Sequence, residues 1–87
     1  MRQVVVYKSV RVAQMYLFVD QQEGLDRVPE ALLTRFGRPV EALRLELSPE
    51  RRLSRSSAPA VLDAIAAQGF YLQLPPVIEA KQATGRE

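Results

Sequence analysis

"GFYLQLPP", residues 69–76, holds a helix stop, a strand and a strand stop in one short run. Gly69 follows an apolar helical stripe and closes that helix, because glycine enters the left-handed backbone region without steric cost. Phe70-Tyr71-Leu72-Gln73-Leu74 has the aromatic and apolar make-up of a mostly buried strand with one polar position. Pro75 and Pro76 end that strand, since proline has no N–H to give to a ladder. The pair is too short for a polyproline ligand, which repeats its prolines at PxxP spacing. The segment before Gly69 is then a helix. Val61, Leu62, Ile65 and Ala66 form its apolar stripe, Pro59 suits its first turn, and Ser54, Ser56 or Ser57 can cap it.

Working outward, a first helix is predicted from Asp26 or Val28 through Phe36. Val28, Leu32 and Phe36 recur at i, i+4 and i+8, with Leu33 beside them. Pro29 fits its first turn, Gly37 supplies a left-handed stop, and Pro39 prevents it resuming. Val4-Val5-Val6-Tyr7 and Met15-Tyr16-Leu17-Phe18-Val19 are apolar without alternation, as strands covered on both faces are. Ser9 to Gln14 should join them as an antiparallel hairpin. Leu43, Leu45 and Leu47 alternate with Arg44 and Glu46, which predicts a strand with one wet face, toward a sheet edge. A short fifth strand is expected near Arg52-Leu53-Ser54. The order is β-β-α-β-(β)-α-β. Strands buried on both faces need cover on both, so two helices are best used one per side. The fold class is α/β (α+β), a single-domain three-layer α/β/α sandwich around a small, largely antiparallel sheet. Leu32 and Ile65 should then be buried on opposite sides of it.

The 87 residues make one domain, expected over 1–76, with 77–87 as a flexible C-terminal tail. Apolar residues at 47% and charged residues at 25% match a folded globular chain. No run has the length of a secretory signal or a membrane span, and with no cysteine nothing points to an oxidising compartment. A cytoplasmic protein is the expectation. The absence of both cysteine and histidine excludes zinc ligand sets and conventional nucleophilic triads. Neither a metal nor a cofactor is expected. The net charge of +2 permits nucleic acid without indicating it.

"MYLFV", then "RVPEALLTRFGRP", a leucine strand, an arginine pair, a helix and "QGFYLQLPP" together resemble the YcgL family of small bacterial proteins, over roughly residues 3–76. The resemblance implies an α/β/α sandwich and no particular activity. Three segments depart from the family's pattern. The loop Ser9-Val10-Arg11-Val12-Ala13-Gln14 is half apolar rather than basic and polar. Ser48-Pro49-Glu50 stands where a glycine turn is usual, and Glu79 to Thr84 is weakly patterned where the family often continues with an amphipathic segment.

Few residues carry chemistry. Asp20, Glu23 and Asp26 are the one acidic grouping with metal potential, but their spacing is not that of an EF-hand, and Asp26 suits a helix cap or first turn. Glu46 and Glu50 are close in sequence but lie on a wet strand face and a turn. Arg51, Arg52 and Arg55, among Ser48, Ser54, Ser56 and Ser57, could hold an anion by forked guanidinium contacts beside a helix N-terminus. Equally, they could be an exposed loop paired with Glu46, Glu50 and Asp63. The aromatics are core or sheet-face residues, of which exposed tyrosines could anchor a partner. A non-enzymatic protein-interaction module, using a sheet edge or an aromatic rim, is the leading expectation. The alternative is an RNA-associated factor touching phosphates through Lys8, Arg11, Arg38, Arg51, Arg52 and Arg55. A small-molecule enzyme would require a cleft lined by a carboxylate and a tyrosine.

Overall fold

The structure, a computed structural model, describes residues 1–53 and 56–75. It is a mixed α/β domain with a four-stranded antiparallel sheet and two helices. In chain order these are β1 (Arg2–Lys8), β2 (Tyr16–Asp20), α1 (Glu30–Phe36), β3 (Val40–Leu47), α2 (Ala58–Gln68) and β4 (Phe70–Gln73). The strands lie in the order β3-β1-β2-β4. β1 and β2 form the expected hairpin, and β3 is the expected edge strand. The expected tail at 77–87 lies outside the described residues, as do Ser54, Arg55 and Pro76.

The apolar runs of β1 and β2 are central because each supplies two cores. Val4, Val6 and Phe18 pack with Ala58, Val61 and Ile65 of α2 and with Leu47. The intervening Val5, Leu17 and Val19 pack with Phe36 of α1, Met15 and Val28. Alternate side chains of a strand point to opposite faces, so a run with no polar alternation has both faces buried.

Both helix ends follow their local sequence, with adjustments. Ser57 is the cap of α2, its Oγ accepting from the Ala60 N–H at 3.2 Å. Gly69 ends that helix in the left-handed region at φ 94°, its N–H donating to the Ile65 carbonyl. The glycine also lets Arg27 pass: a Cβ added at Gly69 would lie 2.5 Å from the Arg27 Cβ. α1 starts later than expected. Pro29 is its extended N-cap residue, Glu30 its first-turn acid, and residues 21–27 form turns, so Asp26 caps nothing. Gly37 closes α1 at φ 83° and ψ −168°, which is not the left-handed helical region but is equally a glycine conformation. Ser9 ties the hairpin loop to this end, its Oγ accepting from the N–H groups of Arg11 and Val12 and donating to the Phe36 carbonyl at 2.5 Å.

Three expectations need correction. Ile65 is fully buried, but Leu32 is only half-buried, and Phe36, at 0% exposure, is the anchor of α1. A seven-residue helix has room for one fully enclosed position, and Phe36 at its end takes it. In α2, Ala66 is exposed and Ala58 is buried, because the stripe begins at the first turn. Among the described residues no fifth strand is formed, and Ser54 of the expected segment lies outside them. After Leu47 the chain turns at Ser48–Arg51, and Arg52 makes only an isolated bridge with Ser57, within the same loop.

Candidate functional site

α2 lies against β4 and β2, and not along the whole of its sheet face. On the same face, the Leu43–Leu45 part of β3 is left to the loop that carries Arg51, Arg52 and Leu53. Between that loop and the sheet opens a groove of about 640 Å³. Val6, Tyr16, Phe18, Leu43 and Leu45 form its floor, the loop one wall, and Gln14 and Gln73 its end. Leu43 is 50% exposed, although the leucine alternation of β3 places it on the apolar side. Leu43 stands outside the core cluster that α2 forms on this face.

Local sequence accounts for this shape. The register sets Leu43 opposite Val6 and Leu45 opposite Val4, on the groove side, while Arg44 and Glu46 point to the other face. A bulge between Val6 and Tyr7 breaks the ladder at Ala42. Arg51 donates to the Glu46 carbonyl at 3.4 Å, and Ser56 Oγ bonds Gln73 Oε1 at 2.7 Å, which ties both ends of the loop to the sheet.

The charges of the groove are one-sided. Among the described residues no aspartate or glutamate lines it, while Arg51 and Arg52 do. The expected pairing of these arginines with Glu46, Glu50 and Asp63 is not made: among the described residues the ion pairs are Arg2–Asp20, Arg27–Glu23 and Arg44–Glu41. Glu46 instead accepts from Gln3 Nε2 at 3.3 Å. Arg44 holds Glu41 in a two-toothed contact at 2.8 and 3.2 Å, and the hydrogen bond with its partner moves each group's pKa, Glu41 down and Arg44 up.

The basic residues singled out from the sequence are not one patch. Arg51 and Arg52 line the groove, and Lys8 is exposed on the same side of β1 as Val4 and Val6, opposite Tyr16. Arg11 is on the α1 side, its Cγ 2.8 Å from where a Cβ of Gly37 would stand, and Arg38 follows that glycine. Arg55 lies outside the described residues. The groove's leucines and Gln73 carried no functional signal of their own. The one clue was the Arg51-Arg52 pair next to the apolar Leu53, and in the sequence Glu46, Glu50 and Asp63 stood as equally good partners for it.

The acidic grouping is structural. Asp20 Oδ2 accepts from the N–H groups of Gln22 and Glu23 at 2.9 and 3.1 Å, and Oδ1 accepts from Arg2 at 3.1 Å. Burial pushes its pKa up, but the two N–H groups and Arg2 outweigh that and hold it below the ordinary 3.8. Glu23 meets Arg27 at 3.5 Å, and Asp26 is exposed. Among the described residues no three acidic groups converge on a point where a cation could sit. Asp20 also borders a polar cleft with Arg2, Gln3 and Gln22, but among the described residues that cleft has no tyrosine, and the groove with Tyr16 has no carboxylate. No helix among the described residues is long and apolar enough to cross a membrane.

A small α/β domain with an antiparallel sheet and a cationic, apolar-floored groove is the class that fold and site define. The chain belongs to the YcgL domain family, whose sequence profile matches residues 4–76 and so spans the whole groove. It is 56% identical over 71 residues to a YcgL domain-containing protein of Pseudomonas putida, covering 82% of this chain and 73% of that one. A Pseudomonas aeruginosa relative is 55% identical over 71 residues, with the same two coverages. One from Chromohalobacter salexigens is 54% identical over 74 residues, covering 85% of this chain and 77% of its own. Their names state the domain and no activity.

Proposed function

We propose that this protein is a cytoplasmic, non-enzymatic interaction module that takes a segment of another protein into the groove between β3 and the Arg51–Leu53 loop. The observation that carries the reading is the groove's composition: an exposed leucine on an apolar floor, with two arginines that no described carboxylate neutralises. Apolar surface and unpaired guanidinium groups next to each other are what binding hot spots use. The reading includes the three-layer α/β/α arrangement, supported by the two cores drawn from alternate residues of β1 and β2. In that arrangement, whatever α2 leaves uncovered is a binding face. The absence of cysteine supports the cytoplasmic part.

The test starts from a partner captured from native lysate, identified, and purified. Leu43→Asp and Arg52→Glu should each weaken its binding at least about tenfold without unfolding the domain. If both variants bind as wild type does, the groove is not the docking surface.

An RNA-associated role has narrower support, from Arg51, Arg52 and Lys8 on one side of the sheet. Among the described groove residues only Tyr16 and Phe18 are aromatic, and Phe18 is buried, so stacking platforms are scarce. Phosphate binding would weaken steeply with salt. An RNA titration at two ionic strengths checks it: no binding at low salt, or binding indifferent to salt, removes this reading.

A further inference from the structure

Resting on the interaction reading, we infer that the groove's occupant is an extended segment of another protein, added as a strand to the free edge of β3, with apolar and acidic side chains at every second position. β3 pairs with β1 on one side and with no described strand on the other, and it has eight residues. The opposite edge, β4, has four and runs into Pro75. A long unpaired edge offers main-chain hydrogen bonds to an incoming strand. The bulge at Ala42 limits regular pairing to Leu43 onward, so the guest strand is short.

The chemistry of the guest follows from the two faces of β3. On the groove side it would meet Leu43, Leu45 and the guanidinium groups of Arg51 and Arg52. On the other side it would meet Arg44, already held by Glu41, and Glu46, already bonded to Gln3. Only one face therefore selects for charge, and strand side chains alternate between faces. Acidic and apolar residues are demanded at alternate positions, and the intervening ones are free.

A second copy of this chain fits poorly. Two β3 strands paired about a two-fold axis keep like faces together. The partner's Glu41 and Glu46 would then fall on the Arg44 side, and the groove arginines would stay unpaired. RNA also fits poorly, since a nucleic acid strand makes no use of a sheet edge.

The test is a selection from displayed random peptides of about eight residues against the full chain. The expected result is enrichment of sequences alternating acidic or apolar residues with unrestricted ones. N-methylation of a selected peptide should abolish binding at alternate backbone positions only. The double variant Arg51→Glu, Arg52→Glu should weaken that peptide at least about tenfold and shift the selection to basic residues. Leu43→Asp, at a half-exposed position, checks the floor while the circular dichroism spectrum shows that the domain is folded. Enrichment without alternation, N-methyl effects at every position or none, or no enrichment at all overturns the inference. So does an NMR titration in which oligouridylate alone moves the amide resonances of Leu43 and Arg52. If a purified partner loses binding on Leu43→Asp while the selection shows no such pattern, the inference fails and the interaction reading stands. A partner indifferent to Leu43→Asp defeats both.

Discussion

On the α1 side of the sheet, Phe36 and Val28 close over Val5, Leu17 and Val19, and short pieces complete the cover: Val12 from the hairpin, Leu25 from the turns, and Leu32 and Leu33 from the helix. On the α2 side, an eleven-residue helix brings Ala58, Val61 and Ile65 down on Val4, Val6 and Phe18, and the β3 half keeps an open groove. The shorter helix thus has the more complete roof. Loops that fold back can seal a face that a helix cannot span, whereas a longer regular helix covers only the strip beneath it. One side of this protein serves mainly stability, and the other divides its area between stability and an unfilled surface.

The comparison breaks first, if it breaks, at the buried anchors. Phe36→Ala should cost about 3–5 kcal/mol and Ile65→Ala about 2–5 kcal/mol, through lost burial and the cavity left behind. Against a total of roughly 4–9 kcal/mol for a domain of this size, either removes a large share. Leu32→Ala should cost less than both, because that side chain is only half-buried. Denaturant midpoints of the three variants check the order. A Leu32 effect equal to that of Phe36 would mean that the roof on the α1 side is continuous helix and not a mosaic.

Gly69→Ala comes next. The residue has φ 94°, and an added Cβ would press on the Arg27 Cβ at 2.5 Å, a backbone-proximal atom that cannot swing away. A loss of more than about 1 kcal/mol is expected. Arg27→Gly, which removes that Cβ, combined with Gly69→Ala should recover part of it, the clash but not the backbone strain. Thermal melts of the single and double variants read both parts.

Acid sharpens the view of the turn after β2. The folded Asp20 carboxyl binds its proton less tightly than an ordinary aspartate. Its hydrogen bonds therefore contribute stability above the ordinary value of 3.8, and this is lost as pH falls through the lower folded value. The advantage of wild type over Asp20→Asn should be full at about pH 7 and should shrink toward about pH 3. Midpoints at the two pH values check it, and a gap that does not change with pH would assign the effect to packing instead.

The smallest expected effect is on the open side. Arg51→Ala with Arg52→Ala should change stability by less than about 1 kcal/mol, as exposed charges do. Chemical denaturation measures it. A cost like that of Ile65→Ala would put the arginine pair in a packed network and remove it from a binding surface.

Local chemistry made much of this legible. Ser57 and Gly69 bound α2, the unbroken apolar runs marked the central strands, and leucine alternation marked β3 as an edge. What could not be read locally were matters of reach. The start of α1 lies at Glu30 because residues 21–27 are taken up by turns and Pro29 is an extended N-cap, a proline that also holds the residue before it out of the helical region. Of the strand expected near 52–54, the described residues make only the isolated Arg52–Ser57 bridge. The six basic residues looked contiguous in function, yet Lys8, Arg51 and Arg52 are on one side and Arg11 on the other, because the chain crosses the sheet between them.

The sequence by itself determined both helices, the four strands that form, their order and the two-sided burial of β1 and β2, because caps, stops and periodicity act over a few residues and need no distant partner. Only the tertiary structure decided that Leu43 is half exposed and that Arg51 and Arg52 face it without an acid. Those facts depend on where α2 comes to rest. Packing against β2 and β4 placed the helix there, and the space left over beside β3 is the groove.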